Sequence, residues 1–541
     1  MAQTVAKALI SAFAATGTRR LFGLPGGGSS LDLIEASREA GLSFVLTRHE
    51  CSAVMMAAAT AELDGSLGVA LMTKGPGTAN GTNGVAHASL DRNAVAVITD
   101  GFSPAHQAYV SHQWFDQQAL YAPLVKAHSL LSPATSNELD SLVNMAMAPR
   151  QGPVHLELTG VAARAEITAD QSDTDEWSEP PGVEQADETA LTNASRLLRD
   201  SSKPVIVCGL ETRDAATTEA VRDLARKLGC PALVTYKAKG VVPDDDDVFV
   251  GIFTGGAAEK PAVAEADLII LIGVDPVELI LQPWPYETTS LELSLTQHPK
   301  HYLVPTVSVF GELSKSVSAL GREAMTSAWS TKRIGALRKQ IQSSLRYKKV
   351  EHGLSPEAVV TIAAKACTKL DLWPRVTVDA GAHMFSATAF WPCARPNDLL
   401  ISNGLASMGF ALPAGIAAAL HEPDRTVIAF TGDGGLLMCA GELATAVEQK
   451  VKLIVVVFND GALSLIDIKQ QSRELPPEGV RWAHHDFAKV MTGFGGLGLR
   501  TRTAAGYRAA LRKALNHDGP SLIDVEVDPT GYPEQLRALR G

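Results

Sequence analysis

The sequence predicts an α/β protein built from three doubly wound parallel-sheet domains. Short runs of Val, Ile and Leu without polar alternation recur along the chain, as in central strands buried on both faces. Helical stretches separate these runs, giving the alternation of a parallel sheet. The residues best suited to chemistry fall just after the runs, where such sheets bind ligands.

Composition narrows the class further. A chain of 541 residues has room for three or four domains at about 150 residues each. With 46% apolar and 20% charged residues it can fill several cores, which excludes a disordered or fibrous chain. Acidic residues outnumber basic ones 59 to 48, and no Lys/Arg block occurs, so nucleic acid is not an expected partner. Cys51, Cys208, Cys230, Cys367, Cys393 and Cys439 form no CxxC pair and read as reduced thiols. No apolar run approaches the ~20 residues that cross a bilayer. The stretch after Lys7 (ALISAFAATG) could pass for a short signal peptide. It reads instead as an ordinary helix ended at Gly17, because LFGLPG follows at once. The expectation is a soluble, cytoplasmic protein with no membrane partner.

Taken in order, residues 1–165 make the first domain, with strands in LFGLPG, FVLT (44–47), VALMT (69–73) and AVAVITD (94–100). Residues 166–188, rich in acids and Ser with a Pro-Pro pair, read as a linker. Residues 189–335 form a second, Rossmann-like block with strands PVIVCG (204–209), PALVTY (231–236), DLIILIG (267–273) and VPTVSVF (304–310). A helix-rich connector leads to the third block, 354–541, with strands RVTVDAG (375–381), DLLISN (398–403), TVIAFTGDG (426–434), KLIVVVFND (452–460) and SLIDVEV (521–527).

AFTGDGG (429–435) is the strongest local signal, joined by Asn459-Asp460 at the end of the next apolar run. Gly432, Gly434 and Gly435 let the backbone approach a phosphate, and the helix that follows favours an anion at its start. Asp433 and Asp460 supply hard oxygen ligands, and Mg²⁺ takes few carboxylates together with phosphate oxygens. A bland reading makes GDGG a tight turn and Asp460 an Asx-turn residue; the pairing of two strand-end acids favours a metal-bridged diphosphate. In the first domain LFGLPGGG (21–28), TRHE (47–50) and TKGPGTAN (73–80) likewise follow strands. Glu50 precedes apolar residues and is expected to be partly desolvated, with a pKa raised enough to share a proton with a ligand nitrogen. Its bland reading is a solvent-facing cap of the next helix.

With these motifs in place, the chain resembles thiamine-diphosphate-dependent enzymes of the acetohydroxyacid synthase, pyruvate oxidase and benzaldehyde lyase type over essentially its whole length. The resemblance implies pyrimidine-binding, central and diphosphate-binding domains in that order. It implies that Glu50 protonates the aminopyrimidine ring, that Pro76 and Asn80 flank it in a TSGPGATN-like loop, and that Gly26 and Gly27 contribute to the cofactor site. It further implies Asp433, Asp460 and the carbonyl of Ala462 as metal ligands, Met408 as the wedge that bends the cofactor, and His383 at the diphosphate. Gln117, in WFDQQALYAPLVKAH, matches an active-site Gln of the benzaldehyde lyase pattern, and a slip in register selects Gln113 or Gln118 instead. The cofactors expected are thiamine diphosphate and Mg²⁺, with FAD, ADP or nothing in the central domain. The partner is a second copy of the chain, in a homodimer or homotetramer with active sites at the dimer interface.

The implied activity makes or breaks C–C bonds beside a carbonyl of a 2-keto acid or 2-hydroxy ketone. Carboligation of the acetolactate type comes first, and a non-oxidative decarboxylase or 2-hydroxy ketone lyase is the alternative. Three features depart from the family. Asp460 replaces the usual Asn, Ser111-His112-Gln113 replaces the His-His pair of pyruvate decarboxylases, and Lys469 stands where acetohydroxyacid synthases carry a Trp. A catalytically silent member and a nicotinamide-dependent dehydrogenase are the rivals from other classes; no GxGxxG opens a βαβ unit here. GFGGLG (493–498) reads as a helix-ending glycine cluster, His484-His485-Asp486 as an exposed helix start, and the acidic run 244–247 as a solvated loop. Residues 26–29, 113–118 and 463–469 are expected to wall the substrate pocket, with the C-terminal segment as a candidate lid.

Overall fold

The computed structural model of the chain describes residues 3–131, 136–167, 183–279, 284–298, 303–348 and 350–540. Most of the stretch expected to be a linker, 168–182, lies outside the described residues. Among the described residues the strands form three six-stranded sheets, every pairing parallel, flanked by helices. The expected fold class is therefore the observed one.

The first and third sheets have the same plan. In the first, Arg20–Leu24 lies between Ser43–Leu46 and Gly68–Met72, and Val95–Asp100, Val154–Leu158 and Ala127–Leu131 extend the sheet beyond Gly68–Met72. In the third, Arg375–Val378 lies between Leu399–Ile401 and Val427–Gly432, with Leu453–Asn459, Ser521–Glu526 and Leu497–Thr501 beyond. Counted within each sheet the strand order is 2-1-3-4-6-5 in both. The central sheet runs 3-2-1-4-5-6 instead, with Pro204–Cys208 and Leu268–Ile272 at its middle. In each case the chain reverses direction across the sheet between two strands whose carboxyl ends open a crevice. Those ends carry residues 25–30 and 73–80 in the first sheet, 379–383 and 433–435 in the third, and 209–212 and 273–278 in the second.

Five strands went unread in the sequence. Val154–Leu158 carries His155 and Glu157 yet is buried along its length, and Ser290–Ser294 hides Glu292 in the same way. Ala127–Leu131, Phe249–Ile252 and Leu497–Thr501 are sheet edges; mixed exposure breaks up the first and last, and Gly251 interrupts the four residues of the other. The last of these begins within GFGGLG, whose first three glycines do close the helix Phe487–Gly493.

By compactness the chain divides into two units. One comprises Met1–Gly182, Gly404–Asp424 and Cys439–Val451, and so holds the first sheet; the other comprises Val183–Asn403, Arg425–Met438 and Lys452–Gly541. Two pieces of the stretch 354–541 thus belong with the first sheet. One is the helix Ala411–His421, packed on Glu50–Asp64, and the other is the helix Glu442–Glu448.

Two expectations need correction. The run 244–247 is not uniformly solvated. Lys239, 1% exposed, donates to Asp244 Oδ2 at 2.7 Å, because a buried ammonium requires a counter-charge. The C-terminal helix Tyr532–Arg540, a candidate lid, is held down. Thr254 Oγ1 donates to the Leu539 carbonyl at 2.6 Å and Gln535 Nε2 to that of Leu345 at 2.8 Å. No helix among the described residues is long and apolar enough to cross a membrane.

Candidate active site

Glu50 is the first residue of the helix Glu50–Asp64, capped by His49, whose Nδ1 accepts from the Cys51 N–H at 3.1 Å. It is 4% exposed, so it is not a solvent-facing cap. Asn80 Nδ2 donates to Glu50 Oε2 at 3.1 Å. A Cβ built on Gly77 would lie 3.3 Å from Glu50 Oε1, so the glycine leaves that oxygen room. Pro76 opens the helix Pro76–Leu90, where its lack of an N–H costs nothing, and Gly75 precedes it at φ +66°. Sequence reading thus brought together residues that the structure places in contact.

Gly26 faces a different constraint. A Cβ there would come within 2.1 Å of Asp100 Oδ2 and 2.4 Å of Thr73 Oγ1. Gly27 faces open space. Asp100, buried at the end of Val95–Asp100, accepts from Ser29 Oγ at 2.7 Å and from the Ser30 N–H at 3.0 Å. It organises the glycine loop, and sequence reading missed it although it ends a quoted strand.

Gln117 is buried, 5% exposed. Its Oε1 accepts from the Gly75 N–H at 3.0 Å and from Thr78 Oγ1, while Nε2 donates to the Asp100 carbonyl at 3.2 Å. It braces the loop 73–78. Gln113 is exposed with φ +57°, and Gln118 is half-buried. Met408 is half-buried in the same compact unit as Glu50, and Asn83 Nδ2 donates to the neighbouring Ser407 Oγ at 2.9 Å.

In the other unit Asp433 opens the helix Asp433–Cys439 straight after Val427–Gly432, 2% exposed. Its Oδ1 accepts from the Gly434 N–H at 2.9 Å and its Oδ2 from the Gly461 N–H at 2.8 Å. Asp460 follows Leu453–Asn459, the neighbouring strand. Its Oδ2 accepts from Ser464 Oγ at 2.6 Å and its Oδ1 from the Ala462 N–H at 3.2 Å. Burial pushes the Asp433 carboxyl up to about 6. Burial and then the Asp433 charge push Asp460 up to about 7. Two desolvated carboxylates that oppose each other's ionisation are the donor set a hard divalent cation relieves, so Mg²⁺ fits these residues.

His383 begins the helix His383–Phe390 and stacks on Phe458 at 5.1 Å. Burial lowers its pKa to about 4, and its Nε2 is buried without a hydrogen-bond partner. A Cβ on Gly432 would approach its Nδ1 to 3.3 Å, so the glycine and the ring share one cramped corner. A Cβ on Gly435 would strike Asp379 Oδ2 at 2.2 Å. Asp379 accepts from Thr431 Oγ1 at 2.6 Å, a second strand-end acid that sequence reading passed over. His484 Nδ1 pairs with Asn459 Oδ1 at 3.0 Å, and Asp486 caps Phe487–Gly493, as a helix start requires.

Comparison with known proteins decides what this geometry belongs to. The thiamine pyrophosphate enzyme N-terminal TPP binding domain matches residues 3–120, the central domain 191–320, and the C-terminal TPP binding domain 379–525. Together they cover well over half of the chain. The chain belongs to the thiamine pyrophosphate enzyme family. This thiamine pyrophosphate enzyme is 26% identical to the acetolactate synthase of Bacillus subtilis (strain 168), over 97% of its own length and 93% of the relative's. It is 26% identical to the catabolic acetolactate synthase of Raoultella terrigena, over 97% and 95%. With the acetolactate synthase isozyme 1 large subunit of Escherichia coli (strain K12) the identity is 27% over 95% and 92%. The family's cofactor, thiamine diphosphate, is the one the two terminal domains are described as binding.

The central sheet of this thiamine pyrophosphate enzyme has a dinucleotide-binding strand order but acidic crevice loops. Glu211, Asp275 and His298, each at least nine-tenths buried, follow three adjacent strands and place ligating atoms within 4.8 Å of one another. Glu278 joins them, accepting from the Leu210 N–H at 2.8 Å and from Thr235 Oγ1 at 2.5 Å.

Proposed function

We propose that this chain is a thiamine-diphosphate- and Mg²⁺-dependent carboligase of the acetolactate synthase type. It would decarboxylate a 2-keto acid and pass the remaining acyl carbon to a second carbonyl. The observation that carries the reading is likeness to acetolactate synthases across nearly the whole of both chains. Bound thiamine diphosphate would supply the nucleophilic carbon. Asp433, Asp460 and the Ala462 carbonyl would hold the metal, and the backbone at Gly432, Gly434 and Gly435 would receive the diphosphate, with His383 beside it. Glu50 holds a proton at the pyrimidine ring nitrogen, and Asn80 fixes the carboxylate that does so. Gly27 and Pro76 would border the ring, Gly26 lets the loop close on Asp100 and Thr73, Met408 would lie against the cofactor, and Gln117 keeps the adjoining loop in place.

The Glu50 and Asp433 half-sites are proposed to meet across an interface between two copies, in a homodimer or homotetramer. Acidic side chains at Glu211 and Asp275 would repel a nucleotide diphosphate, so the activity is proposed to require neither FAD nor ADP. A cytoplasmic location accords with the free cysteines. The test is turnover of a panel of 2-keto acids with thiamine diphosphate and Mg²⁺. Carbon dioxide with a chiral hydroxy-keto product supports the carboligase. Carbon dioxide with an aldehyde replaces it by a non-oxidative decarboxylase, and cleavage of 2-hydroxy ketones alone by a lyase.

A further inference from the structure

One short helix grips the turn that delivers Glu50. Glu442, at the start of Glu442–Glu448, is 0% exposed, and its Oε1 accepts the backbone N–H of Arg48 at 3.0 Å. Thr445 Oγ1 donates to its Oε2 at 2.7 Å. Glu448 pairs with the Arg48 guanidinium. A Cβ on Gly441 would stand 3.2 Å from Arg48 Cβ, so the glycine just before Glu442 permits this close seat. All of these residues belong to one compact unit.

The donor count explains the residue type. A carboxylate only accepts, so its two oxygens can take the Arg48 N–H and the Thr445 hydroxyl at once; an amide would turn its own N–H₂ toward one of them. Arg48 and His49 immediately precede Glu50 and set where its side chain begins. Asn80 holds the far end of the same side chain. We propose that Glu442 is a positioning residue for Glu50, fixing the helix start from which that carboxylate reaches the pyrimidine ring. This rests on the reading of Glu50 under the proposed function. It adds a residue whose partner in sequence lies 394 positions away.

The test uses the full chain with Mg²⁺. Thiamine diphosphate affinity is titrated by tryptophan fluorescence, turnover is measured on the best 2-keto acid, and deuterium exchange at the thiazolium carbon of the bound cofactor is followed by NMR. Glu442→Gln is expected to keep affinity within about threefold and to lower both kcat and the exchange rate by roughly tenfold or more, as misplacement of a catalytic group does. Glu442→Asp, which keeps the charge, should recover part of both rates. Exchange and kcat within about twofold of the parent in both variants would overturn the inference. So would a loss of affinity and melting temperature that accounts for the whole loss of rate. If Glu442→Gln does not fold, Glu442→Asp decides on the same readouts. A parent chain that binds no thiamine diphosphate defeats the functional reading itself, whereas an active parent matched by its Glu442 variants defeats only the positioning role.

Discussion

Asp433 Oδ2 accepts the backbone N–H of Gly461 at 2.8 Å, tying together the loops that follow two neighbouring strands. Gly461 sits at φ +71°, and a Cβ there would also press on the Trp482 carbonyl at 2.9 Å. One carboxylate therefore shapes the second loop while serving as a candidate ligand itself. Asp433→Ala should weaken Mg²⁺-dependent cofactor binding by at least the roughly 100-fold that losing an outer partner of a metal ligand can cost. Isothermal titration with thiamine diphosphate checks this, and affinity close to the parent's would remove Asp433 from the metal site.

Asp460 behaves differently, because it is the more strongly opposed member of the pair. Asp460→Asn keeps an oxygen donor and removes a buried like charge. Each unit of pKa shift is about 1.4 kcal/mol and the shift from 3.8 to about 7 is about three units, so the metal-free chain should gain up to roughly 4 kcal/mol near pH 8. A higher melting temperature for the variant without metal, with binding retained when Mg²⁺ is added, is the expected pair of results.

Glu50→Gln should leave thiamine diphosphate binding nearly intact and lower kcat by about 100-fold or more, the usual worth of a positioned proton donor. Binding titration beside steady-state kinetics makes the distinction. A variant as active as the parent would sink the proton-holding role.

Gln117→Ala should destabilise the fold. It strips partners from the Gly75 N–H, the Thr78 hydroxyl and the Asp100 carbonyl, all buried. Buried polar groups left unpaired cost about 1–3 kcal/mol each, and partial relaxation brings the total to roughly 3 kcal/mol. Chemical denaturation measures it. A variant with unchanged stability but lost turnover would show that Gln117 serves the reaction instead of the loop.

Stability should fall with rising pH because of Glu278. Burial pushes its carboxyl up to about 8, so the folded chain keeps a proton that the unfolded chain has already lost. Folding then takes up a proton. Its contribution is favourable below the unfolded carboxyl range near 4.5, and it is lost at about 1.4 kcal/mol per pH unit up to about 8. Glu278→Gln should flatten that slope in denaturation curves taken between pH 5 and 8.

How much was legible follows from how local each signal is. Leu268–Ile272 announced itself because every residue is apolar and buried. Val154–Leu158 did not, because what admits His155 to it is a bond from Nε2 to Thr99 Oγ1 at 2.8 Å, a partner in the next strand that no short window contains. Asp433 and Asp460 drew notice as candidates because glycine and strand lie beside them in sequence, and Glu50 because a strand precedes it and an apolar run follows. Glu442 and Asp100 were not, since the N–H groups they hold lie 394 and 70 residues away. The identical order of the first and third sheets was likewise invisible, because it is a property of pairing and not of residue type.

The chain crosses between its two compact units on either side of Cys439–Val451, inside a region that one sequence family spans without a break. Modules exchanged between relatives along sequence-family borders would therefore carry a foreign Glu442–Glu448 onto a native Arg48 turn. Chimeras of this enzyme should inherit mismatches at a seam no border marks, and recombination points that keep residues 439–451 with the N-terminal third should yield the more active hybrids.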